Sequence, residues 1–194
     1  VGLAILSMAD KLPLDKSKAV VSGATGGVGS IGVRLLSQLG ADVTAITGKM
    51  NKKSWLKELG ASKVLDRKRF IDSTNHPLSK GKYDIALDVV GGQILSSIIA
   101  CMNYDGIITT CGNVGGPQFE TSVFPFILRS NSLIGIDSAA CPIEKKEMIW
   151  DNFSSIWKLN ELEKDSKIVS LENIIPEIEE ILNGNQTGRV VLKF

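Results

Sequence analysis

The chain of 194 residues is long enough to bury one core, which limits it to one domain or one domain with an appendage. A formal net charge of +1, with 43% hydrophobic and 22% charged residues, gives no electrostatic basis for binding nucleic acid or a membrane surface. No run of about 18 apolar residues predicts a membrane span, and no signal peptide is evident.

The three cysteines, Cys101, Cys111 and Cys141, are odd in number and form no C-x-x-C pair. Together with the single histidine, His76, they make a poor set of metal ligands. We therefore expect no metal, reduced and buried structural thiols, and a cytoplasmic protein.

Strand-like and helix-like segments alternate along the chain after an amphipathic, helix-like opening, and the absence of a starting Met suggests a piece of a longer protein. Strands are predicted at 18–22, 42–47, 63–65, 83–90, 106–111 and 132–137. Helices are predicted at 27–39, 51–59, 93–102, 124–129 and 143–159. A short strand near 167, a helix opening at Pro176 and a final strand RVVLKF follow. The alternation predicts an α/β Rossmann fold, a doubly wound parallel six-stranded sheet in the order 3-2-1-4-5-6 with helices on both faces.

Glycines crowd the loop SGATGGVG after the first predicted strand. Gly23-x-x-x-Gly27-x-Gly29 is the spacing of short-chain dehydrogenases, whereas Ala24-x-Gly26-x-x-Gly29 is the dinucleotide fingerprint with Ala at its first position. In both patterns glycine allows a sharp turn and a close approach of the backbone to a pyrophosphate, which a helix N-terminus attracts. A tight turn that binds nothing is the alternative, but the surrounding βαβ pattern favours nucleotide binding.

The two tyrosines of this sequence exclude an active short-chain dehydrogenase. That class requires a Tyr with a Lys four residues later, but Tyr83 and Tyr104 are followed at that spacing by Leu87 and Ile108. A P-loop is excluded as well, since no Gly-Lys-Ser/Thr closes the glycine loop.

The end of the second predicted strand indicates which dinucleotide binds. It reads Thr47, Gly48 and Lys49, with no acid to accept a ribose 2′-hydroxyl. A hydroxyl and a cation suit a 2′-phosphate, so NADP(H) is favoured over NAD. Lys52 and Lys53 follow closely but are better explained as surface residues.

The ends of the later strands are expected to line the nicotinamide half of the site. Asn113 and Ser138 lie there and are candidates for its carboxamide, with ordinary loop glycines as the alternative interpretation of this region. Cys111 is more simply a small hydrophobic residue. Asp84 and Asp88 alternate on a strand with no evident partner, so no catalytic constellation is predicted.

The stretches SGATGGVGSIGVRLLSQLGADVTAITGK, LKELGASKVL, DVVGG, CGNVGG, FPFILR, GIDS and GRVVLKF occur in this order and cover nearly the whole chain. This sequence resembles the medium-chain dehydrogenase/reductase superfamily, in its zinc-free quinone-oxidoreductase branch and the NADPH-dependent acryloyl-CoA reductase-like subgroup. The resemblance implies that residues 1–165 form the NADP-binding Rossmann domain with its lead-in helix. Residues 166–194 would be a C-terminal helix and strand that return toward an absent N-terminal GroES-like catalytic domain, with RVVLKF left exposed or paired elsewhere.

The resemblance also implies positions for the cofactor. The pyrophosphate would contact Thr25, Gly26, Gly27 and Val28. The 2′-phosphate would contact Thr47, Gly48 and Lys49, with Lys63 beside them. The nicotinamide half would lie near Val114, Ile127 and Ser138, and Asn183 would close the site.

Our leading hypothesis is the cofactor-binding domain of an NADPH-dependent oxidoreductase that reduces an activated alkene, of the acryloyl-CoA or quinone/enone type, by hydride transfer. The catalytic residues are unknown, and the piece alone is expected to be inactive. The partners expected are a small-molecule alkene and a second copy in a homodimer, without nucleic acid or membrane. A non-catalytic NADP-binding sensor or interaction module, or a Rossmann scaffold without nucleotide, are the alternatives.

Overall fold

Six parallel strands form one sheet at the centre of the structure, which a computed structural model describes for residues 1–74, 76–160 and 162–194. In chain order they are β1 (Lys18–Val21), β2 (Asp42–Thr47), β3 (Lys63–Asp66), β4 (Tyr83–Asp88), β5 (Met102–Thr110) and β6 (Ser132–Gly135). Their order across the sheet is β3-β2-β1-β4-β5-β6, and each neighbouring pair is parallel. The predicted Rossmann topology is confirmed.

Helices cover both faces of this sheet. The α-helices are α1 (Gly2–Ala9), α2 (Gly27–Gln38), α3 (Lys53–Glu58), α4 (Arg67–Asp72), α5 (Gly92–Ala100), α6 (Phe124–Arg129), α7 (Ile143–Ser154) and α8 (Ile174–Leu182), and the last of them belongs to the C-terminal segment rather than to this sheet. Val20 and Val21 are both fully buried but belong to two different core clusters, because successive strand residues point to opposite faces. One cluster includes Leu36 of α2 and the other includes Ile98 of α5. This explains the continuous apolar runs of the central strands.

Several boundaries differ from the prediction. Helix α5 ends at Ala100 and β5 begins at Met102, four residues before the predicted start at 106. Helix α4 was not predicted; it begins where the Asp66 carboxylate accepts the N–H of Arg69 at 3.0 Å. Helix α7 ends at Ser154, before the predicted 159.

The C-terminal segment forms a small sheet of its own. Strands β7 (Ser166–Val169) and β8 (Arg189–Leu192) pair in parallel, so the final strand is paired within the chain. Helix α8 between them begins at Ile174, which places Pro176 inside the first turn, where a missing N–H costs no helical hydrogen bond.

Asp165 ties the start of this segment to the Rossmann unit. Its carboxylate forms an ion pair with Arg34 of α2 and accepts the indole N–H of Trp55 of α3 at 2.9 Å. The C-terminal sheet is therefore held beside the two helices that follow β1 and β2.

Candidate functional site

The turn between β1 and α2 has the geometry of an anion cradle. Gly23 adopts a left-handed φ of +54°, and a Cβ placed on Gly29 would lie 2.3 Å from the carbonyl oxygen of Gly23. Glycine is thus required at both positions for the helix to start so close to the turn. The N–H groups of Gly27, Val28 and Gly29 form the first helical turn and have no helical acceptors, which favours a bound anion.

Predicted residues from the turn after β1 and from the end of β2 meet at the carboxyl edge of the sheet. The hydroxyl oxygens of Thr25 and Thr47 lie 3.1 Å apart, and both side chains are buried. The N–H of Lys49 donates to the Thr47 hydroxyl at 2.9 Å, which fixes the backbone after β2. The structure therefore joins the end of the glycine turn to the predicted 2′-phosphate residues.

Arg67 is a cation of this region that the sequence analysis missed. It opens α4, directly after β3, and a Cβ placed on Gly48 would lie 3.5 Å from its Nη2 atom. Lys63 instead pairs with Thr44 at the amino end of β3, about 10 Å along the strand from this edge. The structure thus places Arg67, and not Lys63, beside the predicted 2′-phosphate residues.

The Lys49 ammonium is partly withdrawn from solvent. It donates to the backbone carbonyl of Gln186 in the loop after α8. Burial lowers the pKa of Lys49 below its usual value, the charge of Lys52 lowers it further, and Glu180 opposes the shift. Of the described residues, none forms a close ion pair with Lys49, so a bound phosphate would supply this ammonium with an anionic acceptor.

The loop from Asn183 to Gly188 covers the same edge. Asn183 caps α8 and is exposed, while the N–H of Gly188 donates to the carbonyl oxygen of Thr25 at 2.9 Å. With the Lys49–Gln186 contact, the loop bridges the glycine turn and the end of β2. Asn183 thus lies in the loop that closes over these residues.

Asp88 is a buried carboxylate that organises the centre of the site. It is fully buried at the end of β4 and accepts hydrogen bonds from the hydroxyls of Ser22 at 2.6 Å and Thr110 at 2.8 Å. It also accepts the N–H groups of Val90 at 3.2 Å and Gly91 at 3.0 Å. One side chain therefore fixes the ends of three neighbouring strands, β1, β4 and β5.

The residues predicted for the nicotinamide half lie beyond these strand ends. Asn113 and Val114 are exposed in the loop after β5, and Ser138 is exposed three residues after β6 ends. Ile127 is 67% exposed on α6. All four side chains are accessible to a ligand.

A cleft of about 870 Å³ opens next to this edge. Its walls include Val28 of α2, Ser138, Ile149 of α7, Cys111 and Arg189. The expectation that Cys111 is buried was wrong: the residue is exposed, and Cys141 is only partly buried. Cys101 alone is buried, which raises its thiol pKa to about 12.

Tyr83 does not supply an acid for chemistry at this edge. It lies at the amino end of β4, opposite the strand ends that form the site, and burial raises its pKa to about 12. Within the described ranges, no three His, Cys, Asp or Glu side chains lie together in a way that would hold a metal ion. No helix in the same ranges has the length and hydrophobicity needed to cross a membrane.

Comparison with known proteins gives matches over the whole fold. The family of zinc-binding dehydrogenases matches residues 27–155. The putative quinone oxidoreductase YhfP of Bacillus subtilis is 40% identical over 93% of this chain and 55% of its own length. The probable acrylyl-CoA reductase AcuI of Escherichia coli is 39% identical over 90% of this chain and 53% of its own length. The chain thus spans about half the length of the curated relatives it matches.

Solved structures of similar proteins contain dinucleotides. The crystal structure of B. subtilis yhfP with NAD bound has a TM-score of 0.93 and 38% identity, covering 100% of this chain and 59% of that one. The E. coli YhdH structure with bound NADPH has a TM-score of 0.92 and 36% identity, covering 99% and 59%. One of these structures therefore contains NAD and the other contains NADPH, the two cofactors between which the end of β2 was expected to discriminate.

Proposed function

This chain belongs to the zinc-binding dehydrogenase family, in the acryloyl-CoA reductase-like group of medium-chain dehydrogenases/reductases, and we propose that it binds NADPH for an oxidoreductase that reduces an activated alkene. The observation that carries the proposal is the meeting of Thr47, Lys49 and Arg67 beside the glycine turn. Two cations and a hydroxyl, with no acid in the stretch Thr47–Lys49 that ends β2 to accept a ribose hydroxyl, suit a phosphorylated ribose.

The residues of this chain would bind and orient the cofactor. The first turn of α2 would receive the pyrophosphate, and Asn113, Val114, Ile127 and Ser138 would border the nicotinamide half. When bound, NADPH supplies a hydride. We propose that this hydride passes to the β-carbon of an acryloyl thioester, quinone or enone. The position of these residues at one sheet edge, with the cleft beside them, supports this arrangement.

The zinc in the family's description does not fit this part of the chain. The described residues contain no cluster of three possible ligands, and Cys101 is buried in the core. His76 is exposed in the segment before β4, away from the strand ends that form the site. We therefore propose no role for a metal at these residues.

The test of the reductase function is oxidation of NADPH by the full gene product that contains this chain. We expect NADPH absorbance to fall when acryloyl-CoA or a simple quinone is added, with a slower rate for NADH. Binding of NADPH without turnover of either substrate class would contradict the reductase function and support the non-catalytic sensor. Light scattering would test the homodimer that we also propose.

The lowered pKa of Lys49 predicts a pH dependence of cofactor binding. A bound phosphate favours the charged ammonium, so affinity falls once the pH exceeds the pKa of the free protein, which lies below 10.5. We expect the Kd for NADPH to rise as the pH is raised through the lowered pKa of Lys49, while the Kd for NADH stays constant. In Lys49→Arg, whose guanidinium stays charged, the rise should disappear. An identical alkaline rise in this variant would contradict the role of Lys49, provided that circular dichroism shows an unchanged fold.

A further inference from the structure

A second cleft, of about 520 Å³, lies between the end of α4, one side of α5 and the segment that precedes α6. Its walls include Asp72 of α4, Gln93 and Ser97 of α5, and Glu120 of the segment before α6. Of the described residues, none lines both this cleft and the cleft of about 870 Å³ beside the strand ends. We call it the α4–α5 cleft, and it is separate from the proposed cofactor site.

Ser97 presents an unbonded hydroxyl to the α4–α5 cleft. The residue is only 4% exposed, and within the described ranges its hydroxyl has no hydrogen-bond partner. Thr74, which lines the same cleft, instead donates to the Phe70 carbonyl at 3.0 Å. Among the described side chains, Asn131 alone has a fully enclosed polar atom without a partner, so the Ser97 oxygen is open to the cleft that the residue lines. Because buried polar groups are generally hydrogen-bonded, this oxygen indicates a binding position for a ligand.

The charged groups of the α4–α5 cleft are mainly negative. Asp72 and Glu120 both line it, and in the described part of the chain neither carboxylate takes part in an ion pair or a hydrogen bond. His76 is the other ionisable side chain on these walls, which contain no Lys or Arg among the described residues. An anionic ligand would thus be repelled, whereas a cation would meet two unengaged carboxylates.

A metal ion does not account for this charge. Over the residues that the structure describes, no three His, Cys, Asp or Glu side chains are close enough to hold one. The apolar side chains of Ile71, Pro77 and Ala100 also line the cleft. A longer organic cation would use both kinds of wall, with its charged groups on the carboxylates and its carbon chain against the apolar residues.

We propose that the α4–α5 cleft binds an aliphatic polyamine, a ligand in which short methylene chains join two or more ammonium groups. An ammonium group only donates hydrogen bonds, and the ionised carboxylates of Asp72 and Glu120 only accept them. The buried Ser97 hydroxyl can accept a further N–H, which would give its oxygen the partner that it lacks. The polyamine site does not depend on the proposed function, because it shares no residue with the proposed cofactor site.

The test is calorimetric titration of the folded chain with spermidine at an ionic strength of about 0.15 M, where long-range attraction between exposed charges is largely screened. Nucleotide is left out, because a polyamine also binds phosphate groups directly. In the double variant Asp72→Asn, Glu120→Gln, the Kd for spermidine should rise about tenfold, since two ion pairs are lost. In Ser97→Ala it should rise about threefold, since one hydrogen bond is lost. Asp151→Asn, which neutralises an exposed carboxylate on α7, is the matched control and should leave the Kd unchanged.

Several results would overturn the polyamine site. They are no spermidine binding by the folded parent chain, an unchanged Kd in the double variant or in Ser97→Ala, and an equal loss of affinity in Asp151→Asn. The diol 1,8-octanediol, which has a carbon chain but no charge, should not bind, and binding as tight as that of spermidine would contradict recognition of the ammonium groups. The Kd for NADPH should be the same in all variants, and a parallel loss of NADPH binding would show that the substitutions act through the fold. If the parent chain binds spermidine but not NADPH, the proposed function fails while the polyamine site stands.

Discussion

Arg67→Glu is expected to weaken NADPH binding about 100-fold and to leave NADH binding nearly unchanged, since a charge-assisted hydrogen bond contributes about 1.5–3 kcal/mol and each 1.4 kcal/mol is tenfold in affinity. The residue lies beside Gly48, where only the phosphorylated cofactor would carry an extra negative charge. The introduced carboxylate would repel that charge and accept a ribose hydroxyl instead. Lys49→Glu should change the preference in the same direction. Both effects are read from Kd values obtained by fluorescence titration.

Lys63→Glu is the matched control for this experiment. It makes the same change of charge as Arg67→Glu. Lys63, however, lies at the amino end of β3, where it pairs with Thr44, and the site lies at the carboxyl end of that strand. We expect no change in the ratio of NADPH to NADH affinity. A loss of NADPH binding in Lys63→Glu that equals the loss in Arg67→Glu would show that long-range charge, rather than contact, governs the preference.

Asp88→Asn is expected to lower the free energy of unfolding by about 3 kcal/mol, because a buried carboxylate with four donors would be replaced by a group that itself donates. For a chain of this size that corresponds to a fall in Tm of about 10 °C. Cofactor affinity should fall as well, since the turns after β1 and β4 and the end of β5 all depend on Asp88. Thermal unfolding with and without NADPH measures both effects.

Asp84→Asn provides the comparison on the same strand. Asp84 is half-buried near the amino end of β4, where it accepts the N–H of Lys18 at 2.8 Å and the amide of Asn103 at 2.7 Å. The variant should lose less stability than Asp88→Asn and should bind NADPH like the parent. Equal stability losses at the two positions, or an unchanged NADPH affinity in Asp88→Asn, would contradict the organising role of Asp88.

The sheet was predictable because it is encoded locally. Each central strand is a short apolar run and each following helix has its own periodicity, so the alternation alone defines a doubly wound fold. The start of β5 was missed because Asn103, Tyr104 and Asp105 resemble a turn, and Asp105 has a φ of +57°. Helix α4 was missed because its six residues, RKRFID, are too few to show a helical period.

The site was predictable only where it follows the glycine loop and the end of β2. Arg67 was missed because the spacing of strands along the sequence indicates which strand lies near the proposed 2′-phosphate site but not the residue at which that strand ends. Strand β3 ends at Asp66, one residue beyond the predicted end. The partners of Asp88 come from β1 and β5, and Arg189 reaches α2 from the far end of the chain. Such contacts depend on tertiary packing, which no local pattern encodes.

The most direct test of the account is titration of the folded chain with NADPH and NADH under the same conditions. NADPH should bind at least about tenfold more tightly, since its 2′-phosphate would add contacts to Lys49 and Arg67. Equal affinities for the two dinucleotides would contradict the assignment of Thr47, Lys49 and Arg67 to a 2′-phosphate site.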